Sequence, residues 1–115
     1  MATYDLSAVK NCTELWNHAK NWFIDYVVGD TIIEAHTHGL NQYNQIELQV
    51  RKLDQSSAAY VLNMFGSWVA GGHGKIEDGD TIILGARPEH IPFHAKATRD
   101  GSDEPLLRLA WAKDP

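Results

Sequence analysis

Two segments of this chain alternate apolar and polar side chains with a period of two, and that pattern constrains its fold more than any other feature. In "QIELQVR" (residues 45–51), Ile46, Leu48 and Val50 fall on one side, and Gln45, Glu47, Gln49 and Arg51 on the other. In "HIPFHAKATR" (90–99), Ile91, Phe93, Ala95 and Ala97 oppose Pro92, His94, Lys96 and Thr98. Successive side chains of a strand point to opposite faces, so each segment reads as a strand with one wet and one dry face. A dry face has to be covered by a second layer.

The remaining elements follow from turn and cap signals. "FIDYVV", "GD" and "TIIEAHTH" read as two strands on a tight two-residue turn, with Gly29 free to take positive φ. "GLNQYN" is a loop, "TIILGA" a short buried strand, and "LLRLAWA" a last strand with Leu107, Leu109 and Trp111 on one face. Pro92 has no N–H to donate, which puts its strand at an edge or gives it an irregular start. "GDTII" occurs at 29–33 and again at 79–83, one turn-to-strand solution used twice.

The covering layer has two candidates. Residues 7–21 place Val9, Thr13, Trp16 and Ala19 on a stripe that continues to Phe23, with Asn11 and Glu14 able to form a capping box. "DQSSAAYVLNMFGSWVAGG" is the stronger helix, with Asp54 as N-cap, Ala58, Val61, Leu62, Phe65 and Val69 facing the core, and Gly71–Gly72 as the stop. Gly66 inside it costs about 1 kcal/mol relative to alanine, which fits a helix backbone held close to the sheet. The predicted fold is a single α+β domain over 1–115, a mainly antiparallel sheet of five to six strands with two helices packed on one face.

Composition removes several function classes. A chain of 115 residues with 43% hydrophobic side chains is enough for one core and not two. Net charge is −5 and the ten Lys and Arg are scattered, so neither nucleic acid nor an anionic membrane is an expected partner. Cys12 stands alone, which rules out an intramolecular disulfide. "MATYDLSAVKNCTELW" has no continuous apolar run of the kind a signal peptide or membrane span needs, so the expected compartment is the cytoplasm.

Chemistry concentrates on histidine. His36 and His38 are two apart on a strand, so they share a face with Cα atoms roughly 6.5 Å apart, a spacing that suits two imidazoles on one cation. His90 and His94 share the polar parity of a later strand, and Glu47 that of the strand after the His pair. The candidate set is therefore His36, His38, His90 and His94 as ligands of a divalent transition metal (Zn, Fe, Mn or Ni), with Glu47 as ligand or catalytic base. The structural alternative is solvated or hydrogen-bonded imidazoles, with Glu47 accepting hydrogen bonds from an imidazole or from N–H groups of the "THGLNQY" turn.

Two resemblances add to this. "GDTIILGARPEHIPFHA" is similar to the latter half of a cupin metal motif, with His90 eleven residues after Gly79 in the place of its metal-binding histidine. The chain departs from that motif at Gly85 and Arg87, where cupins carry proline and glycine. "HTHGL", "QIELQV", "AAYVLNMFGSWVAGG" and "KIEDGD", spanning 35–80, resemble in order and spacing small bacterial and phage proteins of uncharacterised domain families. Two functions are expected: a small binding or regulatory module that contacts a protein partner or its own copy, and a metal-dependent enzyme, hydrolase or cupin-like, built on the His/Glu set.

Overall fold

A computed structural model of the chain describes residues 2–6, 21–30, 32–84, 91–99 and 105–111. These residues form one seven-stranded sheet and one α-helix. The strands are β1 (Thr3–Leu6), β2 (Phe23–Val28), β3 (Ile32–His38), β4 (Leu48–Arg51), β5 (Thr81–Leu84), β6 (Ile91–Arg99) and β7 (Pro105–Trp111). Helix α1 spans Gln55–Ala70, and a short 3-10 helix at Leu40–Tyr43 joins β3 to β4. Spatial order is β1-β5-β6-β7-β4-β3-β2.

The sheet corrects the expectation of five to six mainly antiparallel strands under two helices. It is mixed: β4 pairs with β7 in parallel and β1 with β5 in parallel, while the other four pairings are antiparallel. Short-turn logic pairs each strand with the next, and it fails where α1 intervenes. After β4 the chain leaves the sheet, and the neighbour that takes β4's free edge is β7, more than fifty residues on. A parallel pair needs a long crossover of this kind. β1 is a four-residue strand too short to show a period. The expected helix over 7–21 lies outside the described residues, except for Asn21.

Local corrections have equally direct causes. Val28 pairs with Ile32 and Val27 with Glu34, so the β2–β3 link spans residues 29–31 with a register shift, not a two-residue turn. Positive φ among the described glycines falls at Gly39, Gly72 and Gly79, not at Gly29. β6 is an interior strand, but among the described residues β7 pairs with it from Phe93 onward, so no described residue of β7 stands opposite Pro92 to receive an N–H. The alternation of "QIELQVR" holds from Leu48 and fails before it. Ile46 is exposed, and Gln45 is buried because its side-chain amide brackets the Ile76 backbone, donating to the carbonyl and accepting from the N–H, each at 2.8 Å.

The core lies between one sheet face and α1. Ala35, Leu48, Val50, Leu107 and Leu109 line the sheet side; Ala58, Leu62, Phe65 and Val69 come from the helix as expected. Phe65 meets Phe93 edge-on, ring centroids 5.7 Å apart. Each Val, Leu or Phe of this set contributes about 1.5–3 kcal/mol on full burial. Trp22, immediately before β2, fills the layer and lies directly against Gly66: a Cβ built there would stand 2.3 Å from the indole Cη2. Gly66 thus accommodates an indole ring. Among the described residues no helix is long and apolar enough to cross a membrane.

At its start α1 is capped as read from the sequence, with Asp54 Oδ1 accepting from the Ser57 N–H at 2.7 Å. Hydrogen bonding from the Ser57 side chain, and after it from the Ser57 backbone N–H, lowers the Asp54 pKa. A carboxyl whose folded pKa is depressed stabilises the fold above its unfolded value, and that contribution is lost as pH falls through the folded value. The expected result for Asp54→Ala is a lower melting temperature at neutral pH and a gap to wild type that closes on acidification, read by circular dichroism melts across an acid series.

Candidate metal centre

On the sheet face away from α1, residues of matching parity stand in rows across the strands. The pairing register aligns Asp25 of β2, His36 of β3, Gln49 of β4 and Arg108 of β7 in one row. Phe23 stands opposite His38, and Glu34 precedes His36 by two on the same face. The "E-A-H-T-H" run of β3 therefore places a carboxylate and two imidazoles side by side, and the hairpin with β2 adds a second carboxylate.

Their geometry is close. The donor atoms of Asp25, His36 and His38 all lie within 4.8 Å of one another. His36 Nε2 is 2.9 Å from His38 Nε2, which is 2.8 Å from Asp25 Oδ2. On the far side of the His36 ring, Nδ1 lies 2.8 and 3.0 Å from the two Glu34 oxygens. An ionised carboxylate only accepts, so Nδ1 carries the proton and donates it to Glu34. Neutral His36 then presents a bare Nε2 lone pair to the other two groups.

That leaves a deficit of protons. His38 Nε2 faces two acceptors, the His36 lone pair and the Asp25 carboxylate, and can carry one proton at most. If His36 were charged and donated from Nε2 as well, His38 would turn a lone pair toward a carboxylate. A divalent cation satisfies all three atoms at once. Metal–nitrogen bonds of about 2.0–2.1 Å in a tetrahedron separate ligand atoms by about 3.3 Å, so the two short pairs need to part by about half an ångström, and Asp25 and His36, within 4.8 Å of each other, have to reach the same separation. A carboxylate holding the remote N–H of a ligand imidazole is the usual arrangement around protein-bound zinc.

The donor set is two imidazoles and one carboxylate, which suits zinc and the neighbouring divalent ions Fe, Mn and Ni. Asp25 and His38 are about half exposed, with side-chain accessibilities of 57% and 44%, whereas His36 and Glu34 are 17% and 13% exposed. The inner ligand, His36, is fixed by the sheet and by Glu34, and the outer two are open to solvent, which leaves room for a water on a bound ion. The Phe23 ring stacks on His38 at 5.0 Å and restricts its rotation.

Of the residues expected from sequence, His36 and His38 meet here. His94 is exposed on β6, hydrogen-bonded to Thr81 Oγ1 at 3.0 Å. Three strand spacings, roughly 14 Å, separate it from β3. His90 lies outside the described residues. Glu47 is turned away from the histidines: its carboxylate accepts from Thr37 Oγ1 at 2.8 Å and from the N–H groups of Gly39, Leu40 and Asn41 at 3.1–3.2 Å. These are the free N–H groups at the start of the 3-10 helix, so Glu47 caps the turn, as the structural alternative had it.

Sequence reasoning missed Asp25 and Glu34. For Glu34 the signal was present, since it continues the period of two through His36 and His38. Asp25 depended on register: a two-residue turn at Gly29–Asp30 would pair it with Glu34, and the longer link pairs it with His36 instead. Comparison of the chain with protein-family models, with curated proteins and with solved structures found no match.

Proposed function

We propose that this protein is a small metal-binding module that holds one divalent ion of the Zn, Fe, Mn or Ni group on Asp25, His36 and His38. The observation that supports the reading is the convergence of three possible ligand atoms, with His38 Nε2 standing between the His36 Nε2 lone pair and the Asp25 carboxylate and one proton at most to serve both, beside a Glu34 carboxylate that fixes the His36 tautomer. An exposed ion with three protein ligands keeps a position for water or for a donor atom of another molecule. In a hydrolase that water would be the nucleophile.

Protein purified without a histidine tag and stripped with chelator is expected to take up one equivalent of Zn2+ by calorimetry. Its melting point is expected to rise, by the equivalent of about 2.7 kcal/mol at a free concentration one hundred times Kd. His36→Ala and His38→Ala are expected to remove both effects. Co2+ is expected to give visible d–d absorption in wild type and none in the variants. Unchanged melting and no uptake of Zn2+, Co2+, Fe2+, Mn2+ or Ni2+ would count against the reading.

A protein-binding role, with a partner or a second copy, has one observation of its own. β2 is the terminal strand of the described sheet, and Phe23, Val27 and Val28 on it are exposed. An apolar edge strand with a free ladder edge is a template for strand addition. Light scattering across a concentration series tests self-association: a mass above that of one chain, lowered by Val27→Lys, supports it, and a monomer throughout counts against pairing of copies.

A further inference from the structure

We infer that Gln49 and Arg108 are positioning residues for the metal centre, acting on His36 through Glu34. The inference rests on the metal-binding reading above and concerns how the site is held. Gln49 lies on the polar face yet is only 5% exposed, and a buried amide has to be hydrogen-bonded at both ends. Its Nε2 donates to Glu34 Oε2 at 2.7 Å, and its Oε1 accepts from Arg108 Nε at 3.1 Å.

Each link runs in one direction only. A guanidinium donates and never accepts, so it takes the amide oxygen of Gln49 and fixes which way that amide points. The amide nitrogen is then forced toward Glu34, whose ionised carboxylate accepts from it and from His36 Nδ1. The proton on Nδ1 is held there, and the His36 lone pair is held at Nε2, toward His38 and Asp25. Donation thus converges on Glu34 from two sides, from the Arg108 cation through Gln49 and from His36 Nδ1, so side chains on three adjacent strands hold the carboxylate that orients the ring. The strand register that aligns Arg108, Gln49 and His36 makes the relay possible.

Neither Gln49 nor Arg108 is a ligand of the proposed ion, so replacing them leaves all three ligands in place and loosens their aim. Outer partners of ligating histidines commonly change metal affinity by about 10–100-fold. Gln49→Met keeps length and removes both hydrogen bonds; Arg108→Met removes the cation from a half-buried site. For Gln49→Met the expected result is a Zn2+ Kd raised about tenfold, and for Arg108→Met a smaller rise, with the metal-free far-UV spectrum unchanged in both. The second readout requires no metal: imidazole 15N correlations of the stripped protein are expected to show His36 as the Nδ1–H tautomer in wild type and as a mixture in Gln49→Met.

The outcomes separate the two claims. Wild type that binds neither Zn2+ nor Co2+ overturns the metal reading, while the tautomer comparison still decides whether the relay orients His36. Wild type that binds, with both variants binding equally well and keeping the Nδ1–H tautomer, overturns the relay. Should Gln49→Met fail to fold, Arg108→Met carries the same decision.

Discussion

Gly66→Ala is expected to destabilise the protein by about 2 kcal/mol, although helix propensity alone predicts a gain of about 1 kcal/mol for glycine to alanine inside a helix. The sign is set by Trp22. A Cβ at residue 66 would lie 2.3 Å from the indole Cη2 and 2.8 Å from Cζ2 and Cζ3, well inside contact distance. The ring has little freedom to yield. It is buried, and its own Cβ lies 3.0 Å from where a side chain on Gly39 would begin, so root and tip are both held by glycines. Overpacking of this kind costs about 1–3 kcal/mol and more for larger groups, so Gly66→Leu is expected to prevent folding. Urea unfolding of Gly66→Ala, Trp22→Phe and the double variant tests the account. The smaller ring is expected to recover part of the loss in the Gly66→Ala background. Strict additivity of the two changes would show that no clash couples them.

Glu47→Ala is expected to lower stability by about 3 kcal/mol, a fall in melting temperature of about 15 °C for a domain of this size. The carboxylate is the common acceptor for three backbone N–H groups and the Thr37 hydroxyl. Thr37 is fully buried and its Oγ1 in turn accepts from the Leu48 N–H at 2.9 Å, so the loss spreads into the start of β4. Hydrogen bonds to a charged group contribute about 1.5–3 kcal/mol each, and water reaching the exposed Asn41 N–H returns some of that. Glu47→Gln, which keeps an acceptor without the charge, is expected to lose about half as much, because charge-assisted bonds are roughly twice as strong as neutral ones. Metal affinity is the control. A role in turn closure leaves the Zn2+ Kd of folded Glu47→Gln near that of wild type, whereas a ligand or base at the ion would move it.

These two residues also mark how far the sequence could be read. Helix α1 was legible from Asp54 to Gly72 because cap, stripe and stop are local and agree with one another. That Gly66 needed explaining was visible, but Trp22 as its partner was not, since 43 intervening residues carry no pairwise signal. The polar parity of His36 and His38 was legible from alternation alone. The full triad was not, because Asp25 reaches His36 through a strand register set by a bulge and a longer link. Glu47 looked like a site residue by alternation, yet β4 begins one residue after it, and outside a strand parity has no meaning. The parallel contacts of β1 and β7 were hidden for the same reason as Trp22: both join segments far apart along the chain.

The position of β7 sets an order of assembly. Among the described residues, the β2-β3-β4 group and the β1-β5-β6 group touch as sheet only through residues 105–111, so this strand is the keystone of the described layer. During synthesis on the ribosome, two half-sheets must wait with open edges until the keystone emerges. An open edge recruits other chains as readily as its own. Pairings so distant in sequence also close slowly. A nascent chain stopped at residue 104 is therefore expected to depend on chaperones in a way the finished molecule does not.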